Sequence, residues 1–240
     1  MNLRTPAYSG PSWAQPMPPQ LLRGGVRPLV LCVYWGNKYP IEYVRKLKAA
    51  VAAHLSVPHD FACVSNDARL DDIGITRLPP PVAFDGWWQK IGLFSAHLAA
   101  CIGDPRPVLY LDLDVVITGA LDVLLSFEIP QQGLLMAENF GPNKPHCAHN
   151  SSVMVWVSGD CTDIASSFRP EYMQQLHGDQ CFIWRAKNGR IDNFPRELVR
   201  SYKYDCTQAV PDGCRVVVFH GKPDPHEVGA AWVRQRWHAL

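Results

Sequence analysis

Apolar positions along the chain fall into short continuous runs separated by amphipathic stretches, which predicts buried strands alternating with helices. Pro28-Leu-Val-Leu-Cys-Val-Tyr-Trp35, closed by Gly36-Asn37, reads as a first buried strand. From Pro40, Ile41, Val44, Leu47, Val51 and Leu55 recur at helical spacing, so an amphipathic helix follows. Phe61-Ala-Cys-Val-Ser65 reads as a second strand and Ile75-Thr-Arg-Leu78 as a third, before the break at Pro79-Pro80-Pro81. Residues 87–101 carry Ile91, Phe94, Leu98 and Cys101 at helical spacing and lead into the strongest strand, from Val108. Gly133-Leu-Leu-Met-Ala137, Ser152-Val-Met-Val-Trp-Val157 and Arg215-Val-Val-Val-Phe219 are further strands, and Asp179 to Arg185 a short helix. This alternation predicts an α/β domain with a mixed, mostly parallel central sheet flanked by helices, with functional groups just beyond strand C-terminal ends.

Residues 1–26, rich in Pro, Gly, Ser and Gln without apolar period, are expected to form a flexible lead, and residues 27–240 one domain. Lys and Arg exceed Asp and Glu by 23 to 22, so no global field favours nucleic acid, and an anionic ligand must be met by a local cluster. The eight cysteines lack the spacing of a disulfide framework, so reduced thiols and a cytoplasmic location are expected. The basic, aromatic C-terminal end, with Trp232, Arg234, Arg236 and Trp237, could touch the inner face of a membrane, but a final helix packed by its tryptophans is preferred.

The candidate chemistry lies in Val108-Leu-Tyr-Leu-Asp-Leu-Asp-Val-Val-Ile117, where Asp112 and Asp114 interrupt what would otherwise be core. Two like charges at a buried strand end need a partner, and a hard divalent cation with phosphate suits them. Alone, Asp-x-Asp is a weak signal, more often solvated acids at a strand end or acids capping a turn. It also fits a haloacid-dehalogenase-like phosphatase in which Asp112 would attack phosphorus. Such a motif normally opens its fold, however, and here a complete strand and helix precede it.

Several segments, taken in order over roughly residues 28–224, resemble family 8-like glycosyltransferases of the GT-A fold. Val33-Tyr34-Trp35-Gly-Asn37 and Ser65-Asn66-Asp67 stand where that family places the base and ribose of its donor. Trp87-Trp-Gln-Lys90 looks like the helix before the metal motif, Asp112-Leu113-Asp114 like the metal-binding triplet, and His149-Asn150-Ser151-Ser152 like the segment lining the donor sugar. Gly178-Asp179-Gln180 resembles the Asp-Gln dipeptide beside the anomeric carbon, and His220-Gly221-Lys222-Pro223 the terminal signature, although here its spacing is compressed.

The resemblance implies a metal-dependent transferase moving a sugar from a nucleotide diphosphate donor, a UDP-sugar by expectation, to a hydroxyl acceptor. Mn²⁺ or Mg²⁺ would be held by Asp112, Asp114 and His220, with Asp179 and Gln180 in the catalytic positions and retention of configuration the weaker expectation. Val33, Tyr34, Trp35, Asn66, Asp67, Lys90, Leu113, Asn150, Ser151, Gly221 and Lys222 would bind the donor. Residues 139–149 would form an acceptor-side loop. A non-catalytic nucleotide- or glycan-binding module on the same fold is the third alternative. Bland roles compete at each position: a surface histidine at 220, a solvated lysine at 90, turn residues at 66 and 67, and a helix cap at 179.

Overall fold

The computed structural model describes residues 25–141 and 147–238. Most of the expected N-terminal lead, and residues 142–146 of the expected acceptor-side loop, lie outside the described residues.

The first half builds a parallel unit from local pattern. β1 (Leu29–Val33) is buried on both faces and feeds α1 (Glu42–His54), whose Tyr43, Val44, Leu47 and Val51 form one inward stripe. β2 (Asp60–Val64), the short helix α2 (Arg69–Asp72) and β3 (Thr76–Leu78) follow. β1 pairs in parallel with β2 and, on its other side, with β4 (Pro107–Leu111), while β2 carries β3 at the sheet edge. Leu47, on the inward stripe of α1, is 1% exposed, so Leu47→Ala would cost about 2–5 kcal/mol.

The stretch expected as one helix over 87–101 is two segments. A 3₁₀ segment, Gly86–Phe94, ends at Ser95, whose extended backbone and side chain, accepting from the Leu98 amide at 3.1 Å, start α3 (Ala96–Ile102). Gly92 is required where that segment meets the proline-rich turn, because a Cβ there would stand 2.8 Å from Pro81.

The run 108–117 is likewise two strands in two different sheets. β4 continues the large sheet, where it pairs antiparallel with β7 (His149–Val157). β5 (Val115–Ile117) pairs antiparallel with β10 (Val216–Val218) in a small sheet completed by β9 (Val199–Ser201). Asp112-Leu113-Asp114 is the crossing point: the Asp112 amide donates to the Ser152 carbonyl at 2.9 Å, and the Phe219 amide to the Asp114 carbonyl at 3.3 Å.

β6 (Leu134–Glu138) and β8 (Ile191–Asn193) complete the large sheet, in the order β3-β2-β1-β4-β7-β6-β8. One face packs on α1. The other is covered by the 3₁₀ segment, α3, α4 (Thr162–Ser167), α5 (Tyr172–Gln175) and α6 (Asp179–Lys187), with Phe94 against Trp156 at 4.9 Å. α7 (Tyr202–Asp205) follows β9. The C-terminal helical turns from Ala231 bury Trp237 edge-on against Tyr43 at 4.8 Å, while Trp232 donates to the Cys206 carbonyl. The expected packed helix is therefore present, and both tryptophans are used internally. Among the described residues no helix is long and apolar enough to cross a membrane. All eight cysteines are free thiols.

Candidate active site

The acids stand where β4 leaves the large sheet. Strand alternation puts Tyr110 on the same face as Asp112, and its hydroxyl donates to one carboxylate oxygen at 2.7 Å. The ammonium of Lys90, carried in by the 3₁₀ segment, lies 2.8 and 2.9 Å from the two oxygens of Asp112 and 3.2 Å from the Ser151 hydroxyl. Burial pulls the Lys90 pKa down, but Asp112, Asp179 and Asp114 outweigh it and hold the ammonium above its ordinary value. Lys90 is therefore a buried, charged lysine rather than a solvated helix residue.

Asp114 is 7% exposed and receives the Tyr39 hydroxyl at 2.7 Å, with Lys38 at 3.9 Å. Burial first, and then the Asp112 carboxylate, push its pKa up to about 7 despite the Tyr39 hydrogen bond. Tyr39 lies 3.3 Å from Asp224 as well, so one phenol faces two buried acids. Asp224 in turn pairs with Lys222 at 2.7 Å, and Lys222 also reaches Glu227 at 2.7 Å.

Asp179 begins α6 at 4% exposure, and one of its oxygens is buried without any hydrogen-bond partner. Burial raises its pKa, whereas Lys90 and the Ser151 hydroxyl lower it. Gln180 accepts from the Asn150 side chain at 3.4 Å. The chain thus brings Lys90, Asp112, Ser151 and Asp179 into one buried cluster, with Asn150 and Gln180 beside it.

His220 follows β10. Its Nε2 is 2.8 Å from the Ser201 hydroxyl, and its ring stacks with those of Phe140 and Tyr204. Burial and the nearby Lys203 lower its pKa, keeping the imidazole in the neutral form that can ligate a metal. The ligand atoms of Asp112, Asp114 and His220 do not all lie within 4.8 Å of one another; among the described residues, the group that does is Asp224, His226 and Glu227. At Gly221, φ is +69° and an added Cβ would lie 3.2 Å from the Lys203 ammonium. In residue type Asp112, Asp114 and His220 suit a hard divalent cation, with two carboxylates separated by one residue and a neutral imidazole, but the three are not gathered in this arrangement.

A cleft of about 490 Å³ opens beyond the C-terminal ends of β1, β2 and β3, lined among others by Trp35, Asn66, Pro81, Asp85 and Gln89. Gln89 donates to the Phe84 carbonyl, while its own carbonyl oxygen is buried without a partner. Asp67 is clamped by Arg69 through both carboxylate oxygens, so it shapes the turn after β2. Val33 and Tyr34 lie at the end of β1, the latter buried. The sequence reading missed Tyr39, Tyr110 and Asp224. Tyr110 was findable from alternation with Asp112; nothing local marks the other two, since Tyr39 meets Asp114 from 75 residues before and Asp224 meets Tyr39 from the far end of the chain.

The architecture is that of the GT-A glycosyltransferases. The glycosyltransferase GlyE of Streptococcus pneumoniae TIGR4 superposes with a TM-score of 0.64 at 13% identity, over 89% of this chain and 62% of that one. This chain therefore spans less than two thirds of GlyE. The galactosyltransferase LgtC, in complex with donor and acceptor sugar analogues, superposes at 0.61 and 15% identity, over 89% of this chain and 96% of that one. A glycosyltransferase involved in glycosylation of the major capsid of PBCV-1 superposes at 0.54 and 14% identity, over 80% and 93% of the two chains. At these identities the likeness is one of fold. No protein-family model matches the sequence, and no curated protein is significantly similar to it.

Proposed function

We propose that this protein is a metal-dependent glycosyltransferase that moves a sugar from a nucleotide diphosphate donor, in particular a UDP-sugar, to an acceptor hydroxyl. The observation that carries the proposal is the buried Lys90–Asp112 pair beside Asp114 at the end of β4, in a fold shared with glycosyltransferases. A phosphatase of the haloacid-dehalogenase type fits less well, because Asp112 follows the fourth strand of the fold rather than the first.

In this mechanism the cleft beside Trp35 and Asn66 takes the nucleoside, and Asn150 and Ser151 line the donor sugar. The bond from the anomeric carbon to the diphosphate oxygen breaks with its electron pair going to the diphosphate. The acceptor oxygen forms the new bond and releases its proton to the departing phosphate or to solvent. Mn²⁺ or Mg²⁺ held by Asp112, Asp114 and His220 would neutralise the leaving diphosphate as a Lewis acid. Lys90 fixes Asp112, and Lys222 exchanges its exposed pairs with Asp224 and Glu227 for the phosphates. Gln180, held by Asn150, and Asp179 stand on the reacting side of the sugar, which favours retention of configuration. An active-site glutamine variant of LgtC has been solved on this fold, in keeping with such a position for Gln180.

The test is thermal stabilisation by UDP. It is expected to require Mn²⁺ or Mg²⁺ and to vanish in Asp114→Asn, since a ligand that binds only the native state raises stability. A donor panel scored for metal-dependent hydrolysis without acceptor then identifies the sugar. No response to any nucleoside diphosphate sinks the proposal, and nucleotide binding without turnover of any donor leaves a non-catalytic module.

A further inference from the structure

Trp87, 58% exposed, and Trp184, 43% exposed, are two of the few large apolar side chains left in solvent among the described residues, and both border the Asp179–Gln180 corner. Two observations place Trp87 there. Residues three apart eclipse on a 3₁₀ helix, so Trp87 shares the face of Lys90, whose ammonium reaches Asp112 and Ser151. Its indole nitrogen also lies 3.5 Å from where a Cβ on Gly178 would stand, immediately before Asp179. Trp184 stands one turn of α6 beyond Gln180 and therefore on the same helix face, with its ring 6.4 Å from His149.

Neither tryptophan lines the cleft beside Trp35, so both lie apart from the nucleoside end. The corner they border is polar: Gln180 accepts from Asn150, and one oxygen of Asp179 is enclosed without a hydrogen-bond partner. A buried acceptor atom without a donor is costly unless a ligand supplies one. A ligand suited to this arrangement carries hydroxyl donors on one side and an apolar C–H face for the electron-rich faces of the indoles. A pyranose ring does both. An extended lipid chain would leave these polar groups unpaired, and a peptide would bring amides with few partners.

We propose that Trp87 and Trp184 are the rim of an acceptor subsite, and that the acceptor is a glycoside whose pyranose ring stacks on the indoles while its hydroxyls reach Asp179 and Gln180. This rests on the transferase function proposed above.

The test uses the full chain with Mn²⁺ and whichever UDP-sugar it hydrolyses, measuring UDP release as methyl hexopyranosides, a serine- and threonine-containing peptide, or a long-chain alcohol is added. Hexopyranosides are expected to stimulate release. Trp87→Ala is expected to raise the glycoside KM about tenfold, with Trp87→Phe intermediate and Trp184→Ala weaker, while acceptor-free hydrolysis stays within about twofold of wild type. Loss of acceptor-free hydrolysis in Trp87→Ala overturns the proposal, because Trp87 would then serve the donor or the fold. Stimulation by the peptide or the alcohol alone also overturns it. If no donor is turned over, the transferase reading fails, and the subsite is judged by indole fluorescence during titration with methyl hexopyranosides. Saturable quenching that disappears in Trp87→Ala supports the subsite, and no saturable quenching removes it.

Discussion

Two clefts of similar size open at opposite ends of the parallel strands, about 430 Å³ at the starts of β1 and β2 and about 490 Å³ beyond their ends. Both are lined by polar and apolar groups in similar measure, but the charges at and near them are arranged differently. At the first, Asp60 is 41% exposed and paired with Arg106 and Arg27, and Lys48 donates to the Gly74 carbonyl. Such pairs are met by water and by each other. Near the second, Asp112, Asp114 and Asp179 crowd around one buried lysine, Asp114 is pushed up to about 7, and an oxygen of Asp179 has no partner. Concavity and charge are common to both ends; what sets the proposed site apart is desolvated charge left incompletely compensated.

The sharpest way to break that contrast is to neutralise one acid at each end. Asp114→Asn is expected to lower metal-dependent donor turnover by about a hundredfold or more, as removal of electrostatic transition-state stabilisation does. Asp60→Asn should leave turnover unchanged and cost about 1 kcal/mol, because Asp60 is itself 41% exposed and is paired with the exposed Arg27 as well as the part-buried Arg106. Equal losses from the two substitutions, read as kcat/KM, would end the distinction.

The next effects are on stability. Removing Lys90 leaves Asp112 and its neighbours uncompensated, so Lys90→Met should destabilise by about 3 kcal/mol in denaturant titration, part of which Asp112→Asn should restore. The pH dependence of the metal-free protein has a definite sign. The Asp114 carboxyl titrates near 3.8 when unfolded and near 7 when folded, so between those values the native state holds the proton that the unfolded chain has lost. Stability is therefore fullest below about pH 4 as far as this group is concerned, and falls as pH rises towards 7, by a few kcal/mol. Asp114→Asn should flatten that limb of the profile, and saturating Mn²⁺ should do the same. A limb unchanged in Asp114→Asn assigns the dependence elsewhere.

How far the sequence discloses this arrangement depends on whether the signal is local. The inward stripe of α1 and the buried β1 are read directly from period and run length. The division of 108–117 between two sheets is not, since residues on either side of Asp112 are equally apolar and only pairing with β7 and with β10, some 40 and 100 residues later, separates them. β8 and β9 are three residues each and largely polar or mixed, held by their neighbours rather than by propensity. In the site, Lys90, Asp112, Ser151 and Asp179 were nameable from motif order and are brought together in space. His220 was also nameable, but it stands against Ser201 and two aromatic rings, a placement set by β9 and by residues 140 and 204.

The smallest expected effect tests the quiet end directly. Cys101 is the exposed thiol among the eight, and it lines the first cleft, with the His97 ring nitrogen at 3.8 Å. The other seven are buried away from reagent, and burial also raises the pKa of several, to about 12 at Cys147 and about 11 at Cys161. Brief iodoacetamide treatment of the native protein should therefore place a single carboxamidomethyl group on Cys101, as read by peptide mass spectrometry. Nucleotide-dependent stabilisation and donor turnover should be unchanged, because a group added at the starts of β1 and β2 does not reach the end where Asp112 and Asp114 lie. Single modification accompanied by loss of the nucleotide response would mean that the first cleft takes part in binding, and the contrast between the two ends would fail at the end where it predicts nothing should happen.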